Sequence, residues 1–264
     1  MILMKNILRI AACSATLLFV QQSVVKAQVD LGIKAGISIP NLTGGKSDNP
    51  INSSYGSRSG LDVAIHAEYH LTKQFSIQPE LRYSQQGGKK NGKQAFTPPA
   101  ELTQGVPPEM IPQYFYANYK SEAKINYLML PILAKYNFSL GEHWGLYVAA
   151  GPFVSLRLSA KNVTEGTSTI YLDERHTTPL ALPGGQVLPP QSFDRTVDIK
   201  KEIRPFNAGI DGHIGVAYKW ARNSVFIEGG GNYGFINIQE NDINGKNNTG
   251  AAVVVAGYAF RICK

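Results

Sequence analysis

Two histidine–carboxylate combinations are the residues of this chain whose types and spacing could do chemistry. His66 and Glu68 fall two apart in LDVAIHAEYH (61–70), and a tight turn at 71–74 would bring Glu80 opposite His66. In the same way, a turn near 219–223 would bring Glu228 opposite His213. A histidine beside a carboxylate is half of a nucleophilic triad, and Ser76, Ser84 and Ser155 are the formal nucleophiles. His66, His70 and His213 are the candidate metal ligands, but carboxylates are abundant enough to pair the imidazoles instead, so no metal and no cofactor is expected. GGGNYG (229–234) is glycine-rich yet sits inside a strand pattern, where it marks close packing or a bulge.

The elements that would position these groups are strands. In FSIQPELRYSQ (75–85), Phe75, Ile77, Leu81 and Tyr83 share one parity, and Ser76, Gln78, Glu80, Arg82 and Ser84 share the other. Such period-two alternation predicts a strand with one apolar and one polar face. The pattern recurs at 30–39, 61–70, 125–138, 144–158, 205–220, 224–235 and 250–262, giving eight strands with no helix-period stretch between them. The links at 71–74, 139–143 and 219–223 are short, and those at 40–60, 86–124, 159–204 and 236–249 are long. Short and long links alternate, as in an up-and-down barrel whose short turns all fall at one end.

Polarity places that barrel in a membrane. Tyr69, Phe75, Tyr136, Phe138, Trp144, Tyr218, Tyr258 and Phe260 lie on the apolar parity near strand ends, as interfacial aromatic girdles do. The polar parity carries Lys34, His66, Glu68, Glu80, Arg82, Lys135, Arg157, Asp211, His213, Glu228 and Arg261, which are expected to form a charge network filling the lumen. Catalytic barrels of this kind carry their reactive groups on the outer face, so a lumen network is expected to satisfy buried polar groups rather than to catalyse. Pro79, Pro131, Pro152 and Pro205 each remove a ladder donor, and local bulges or missing ladder bonds are expected there.

The ends and the charge agree. Lys5 and Arg9, then the apolar run IAACSATLLFV (10–20) and the small residues Val25 and Ala27, read as a signal peptide over 1–27. The remaining 28–264 form one domain. Removing Lys5, Arg9 and Lys26 with the leader lowers the net charge from +7 to +4, with no block of like charge, so nucleic acid is not an expected partner. Cys13 leaves too, and Cys263 has no partner for a disulfide.

The runs FSIQPELRYSQQGGK (75–89), INYLMLPILAKYNF (125–138), GLYVAAGPFVSLRLSAK (145–161) and GYAFRI (257–262) resemble the PorT-type outer-membrane β-barrel family over most of the mature chain. The resemblance implies an outer-membrane location and an eight-stranded barrel. The name-giving member is associated with protein secretion, a role not carried over to this chain.

The expected fold is therefore an all-β, eight-stranded antiparallel up-and-down transmembrane barrel in a Gram-negative outer membrane. Its long loops would be extracellular and both termini periplasmic. The leading function is a non-enzymatic scaffold or surface-interaction protein. The alternatives are a narrow porin-like channel, a secretion-system component and a lipid-modifying enzyme. Expected partners are outer-membrane lipid, the barrel-assembly machinery and a surface ligand or secretion partner. Loop residues Tyr114, Phe115, Tyr116 and Tyr119 in YFYANY are the candidate surface contacts, although this stretch could equally lengthen the fourth strand.

Overall fold

A computed structural model describes residues 28–44, 50–51, 55–182, 184–240 and 246–262. The expected signal peptide lies outside these residues. Eight long strands form the wall: β1 (Gln28–Gly44), β2 (Gly60–His70), β3 (Phe75–Phe96), β4 (Phe115–Leu140), β5 (Trp144–Glu165), β9 (Phe206–Trp220), β10 (Asn223–Gly234) and β11 (Asn247–Arg261). Three short strands, β6 (Thr167–Ser168), β7 (Gln191–Ser192) and β8 (Arg195–Asp198), lie in the connection between β5 and β9. Each long strand pairs antiparallel with its neighbours, and β1 pairs with β11, from Asp30 opposite Arg261 to Gly44 opposite Asn247. The ring is closed, so no wall edge presents unpaired backbone to lipid.

The alternation sorts the side chains. Ile33, Ile65, Ile132, Ile214 and Ile227 point outward and are more than half exposed. An exposed apolar surface of that extent belongs in hydrocarbon, not water. At the short-turn end the outward aromatics touch one another, with Trp144 and Tyr218 rings 5.1 Å apart. Tyr233 and Phe235, 5.9 Å apart, do the same at the long-loop end. Lumen-facing glycines make room for large inward groups: a Cβ at Gly215 would run into the Tyr147 ring, and one at Gly257 into Phe226.

The prolines interrupt the ladder without shifting it. Between β2 and β3 the paired register passes from His66–Glu80 to Tyr69–Ile77, skipping the pairs beside Pro79. Between β3 and β4 it passes from Pro79–Ile132 to Arg82–Met129, and between β4 and β5 from Pro131–Phe153 to Ala134–Ala150. The missing N–H groups thus leave gaps, not bulges. Pro205 lies just before β9, and its carbonyl accepts from the Arg157 N–H at 2.7 Å. The one bulge in the β4–β5 ladder is at Leu158, between the pairs Asn126–Ser159 and Tyr127–Arg157. It switches the inward parity of β5 from Ser155 to Ala160.

Three strands outgrow their expected lengths by seven residues or more, and β1 runs five beyond 39. β3 runs eleven residues beyond 85, β4 starts ten before 125, and β5 runs seven beyond 158. The connection expected at 86–124 thus shrinks to 97–114, with only short helical turns at Ala100–Thr103 and Pro108–Met110. Most of YFYANY is strand. The strand extensions and the 166–205 connection form a crown above the barrel, with its own apolar core of Phe115, Ile170 and Leu188 packed by Phe96 and Phe193.

Candidate functional site

The interior has two layers. The lower one, at mid-membrane, is an ion network built from inward residues of six strands. The Lys34 ammonium bonds Glu80 at 2.7 Å and also bonds Glu228. The Arg82 guanidinium, fully buried, lies against Glu80, 2.9 Å from Asp211, 3.8 Å from Asp62 and 3.2 Å from the His213 ring. His213 is 3.0 Å from Asp211. Lys135 bonds Glu68 at 2.7 Å and Gln78 at 3.1 Å, and the Tyr147 hydroxyl donates to Glu228 at 2.9 Å. Mutual pairing is the only solvation available to charges at this depth.

Three of the expected network members sit elsewhere. His66 is opposite Glu80 and buried, but its ring stacks edge-on against Phe226 at 5.7 Å and makes no ion pair. Arg261 bonds Asp30 at 2.7 Å at the short-turn end, beside His70. Arg157 faces the opposite end, where its guanidinium donates to the carbonyls of Lys200 and Ile203. In the register His213 lies opposite Gly230, because the turn pairs Trp220 with Asn223 and sets Glu228 against Gly215, yet the His213 ring still comes within 3.9 Å of Glu228. Asp62 and Tyr147 were not among the named charged residues of the lumen face, although both stand on the polar parity.

No serine hydroxyl bonds a histidine among the described residues. Ser76 donates to Glu68 at 2.6 Å, and Ser155 to the Asn207 carbonyl. Asp30, Glu68 and His70 place three ligand atoms within 4.8 Å of one another. Each of those carboxylates already holds a cation, Arg261 or Lys135.

The upper layer is apolar. Ile125, Tyr127 and Met129 of β4, Phe153 and Ala160 of β5 and Leu42 of β1 line it. Ile203 and Ile238, from two different long connections, are tucked into it from above. These connections bond each other across the mouth: the Arg204 N–H donates to the Ile238 carbonyl at 2.7 Å and the Glu240 N–H to the Glu202 carbonyl at 2.9 Å. Arg157 ties this strap to the wall.

Above the strap the crown encloses a cavity of about 390 Å³. Its polar lining includes Lys90 and Gln94 of β3, Ser121 of β4, Asn162 of β5, Glu202 and Gln239, with Tyr55 and Tyr119 as aromatic walls. Lys90 stands above the membrane-spanning part of β3. Its ammonium lies 4.5 Å over the Tyr55 ring, and burial pulls its pKa down to about 8. Burial pushes the Tyr119 hydroxyl up to about 12. The named aromatics do not form a single contact patch. Phe115 is in the crown core, Tyr119 stacks on Phe193 at 4.5 Å, Tyr116 pairs its backbone with Tyr171, and the Tyr114 hydroxyl accepts from Gln113.

A family model described as outer membrane protein beta-barrel domain matches residues 19–240. The chain belongs to the outer-membrane β-barrel family. The place of such a barrel is the outer membrane of a Gram-negative bacterium. Among solved structures, Neisserial surface protein A is similar at 16% identity, covering 88% of this chain and 97% of that one, with a TM-score of 0.37. Ail, the attachment invasion locus protein of Yersinia pestis, is similar at 11% identity, covering 88% of this chain and 98% of that one, with a TM-score of 0.36. The outer membrane protease OmpT from Escherichia coli is similar at 9% identity, covering 92% of this chain and 99% of that one, with a TM-score of 0.34. No curated protein sequence matches this barrel.

Proposed function

We propose that this outer-membrane barrel is a non-conducting, non-enzymatic surface-interaction protein whose crown cavity receives a polar ligand. Its long-loop end faces outward and its termini face the periplasm. The observation that carries the reading is the double closure of the interior. Arg82, Asp62 and Asp211 are fully buried in the lower layer, and Ile203 and Ile238 fill the upper one. A passage for solutes would have to breach both.

With the interior shut, the chemistry accessible from outside is that of the crown. Gln94, Asn162 and Gln239 supply amide donors and acceptors, and Lys90 supplies an amine. The cavity volume is in the range of ordinary small-molecule sites. The ligand this lining suits is hydroxyl-rich and uncharged, a saccharide of the cell surface. Planar-bilayer recording tests the closure: heat-modifiable, folded protein leaves the bilayer silent. Steady unitary currents from the wild-type barrel overturn the reading in favour of a narrow channel.

A further inference from the structure

The outward face of the tall wall carries a column of lysines, two of which share one register position. Lys124 of β4 and Lys161 of β5 are directly opposed in the register. Their chain neighbours Ile125 and Ala160 are fully buried, so both lysines point outward. Directly opposed residues have Cβ atoms about 5 Å apart, and like charges so placed destabilise a sheet unless an anion lies between them. Lys124 has one carboxylate, Glu122, at 3.2 Å, which is shared with Arg58 at 2.6 Å. Lys161 faces Asp198 across the β5–β8 ladder yet makes no ion pair among the described residues. Lys89, opposite Glu122, and Lys120, opposite Glu165, stand two and four residues farther up the same face and make no ion pair among the described residues. These four lysines and Arg58 thus stand against only Glu122, Glu165 and Asp198.

Their height relative to the apolar belt suggests what the anion is. The row Tyr83–Leu128–Leu156–Phe206 closes the belt at the long-loop end. Lys124 stands four residues along β4 from Leu128, about 14 Å of strand. Barrel tilt reduces that to a rise of about 10 Å, and a lysine stem lets the ammonium bend back toward the interface. The ammonium groups therefore sit at headgroup level. Below them Leu130 borders an apolar depression of about 710 Å³ in the outer wall, floored by Ala67 and Pro79 where the ladder is interrupted.

We infer that Lys124 and Lys161 clamp the phosphate of a lipid headgroup, with Lys89 the next cation above them. The lipid's acyl chains run down over Leu128 and Leu130 toward the depression. The phosphate supplies the negative charge that the opposed lysines lack, and the chains fill a dent that bulk lipid packs poorly. The site is separate from the crown cavity, and the membrane placement of the fold is its only premise.

Native mass spectrometry of the full protein in mixed micelles tests it, using bisphosphorylated lipid A and the same lipid stripped of phosphate. The wild type retains the phosphorylated form about tenfold better, the scale of charge-assisted contacts at exposed sites. K124Q/K161Q loses that preference while keeping heat-modifiable mobility. K73Q, in the exposed turn at the other end, keeps it. Survival of the preference in K124Q/K161Q, or an equal loss in K73Q, overturns the site. Displacement by millimolar pyrophosphate also overturns it, because it identifies a free-anion site instead of a lipid clamp.

Discussion

Arg82→Met tests the lower layer most directly. The methionine keeps most of the buried volume but removes the cation that touches Glu80, Asp211 and His213 and stands 3.8 Å from Asp62. Glu80 retains Lys34 at 2.7 Å. Among the described residues, Asp62 loses its one cationic partner and Asp211 keeps only His213. Three cations, Lys34, Arg82 and Lys135, serve five carboxylates in this layer, so the loss leaves two for five. Removing one partner of a buried pair costs about 3–5 kcal/mol, because the remaining charge is left without solvation. The assay is urea unfolding in lipid vesicles, followed by the fluorescence of Trp144 and Trp220 and by gel mobility. Arg82→Met should unfold at clearly lower urea, by that amount. Arg82→Met/Asp211→Asn should recover part of the loss, giving a coupling of about 2 kcal/mol. A single-variant cost below about 1 kcal/mol, or no recovery in the double variant, would refute the claim that these charges solvate one another.

On the proposed non-conducting reading the strap and the network are two seals in series, so Arg157→Met alone should leave planar bilayers silent. Arg157→Met combined with Lys34→Met should conduct if the barrel still folds by gel mobility, and currents from the first variant alone would contradict the two-layer interior. Gly215→Ala forces a methyl into the Tyr147 ring and should lower stability by about 1–3 kcal/mol by overpacking, checked by the same unfolding assay. Lys90 should titrate near 8 when followed by NMR of ¹³C-methylated lysines, against an ordinary 10.5. Because its folded value is depressed, the crown should gain stability as pH rises through the window between these values, where the unfolded chain binds the extra proton. A normal titration would mean that the cavity is wetter than described.

Strand number, closure and facing were legible because lipid enforces them. Over the lower part of the belt apolar residues alternate with inward polar ones, so parity alone placed Lys34, Glu80, Arg82 and Glu228 in the lumen. The crown was less legible. GGKKNGK reads as a loop by composition, yet pairing with β4 holds it in strand, with Gly87 at φ 120° and Gly92 at φ 102° absorbing the twist. The apolar upper layer did leave a signal: both parities of INYLMLPIL are apolar, which a strand between lipid and water would not be. The position of His213 depended on the turn. A one-residue difference in its centre moves the opposed residue from Glu228 to Gly230, and alternation cannot resolve that. Arg157 shares the inward parity of the network, but its height on β5, not its facing, removed it from the cluster.

The unequal strand lengths have a consequence for reach. β4 has 26 residues, where β2 has 11. A tilted strand crosses the hydrocarbon with about 9–11 residues, leaving about 15 of β4 beyond it, or about 50 Å of strand and about 40 Å of height. Only β3, β4 and β5 are lengthened this way, so the barrel carries a mast on one flank and a low rim on the other. With the long-loop end outward, as proposed, the mast would hold the crown cavity well away from the lipid. The low rim leaves one side open to approach, so a partner would be met from a fixed direction and at arm's length.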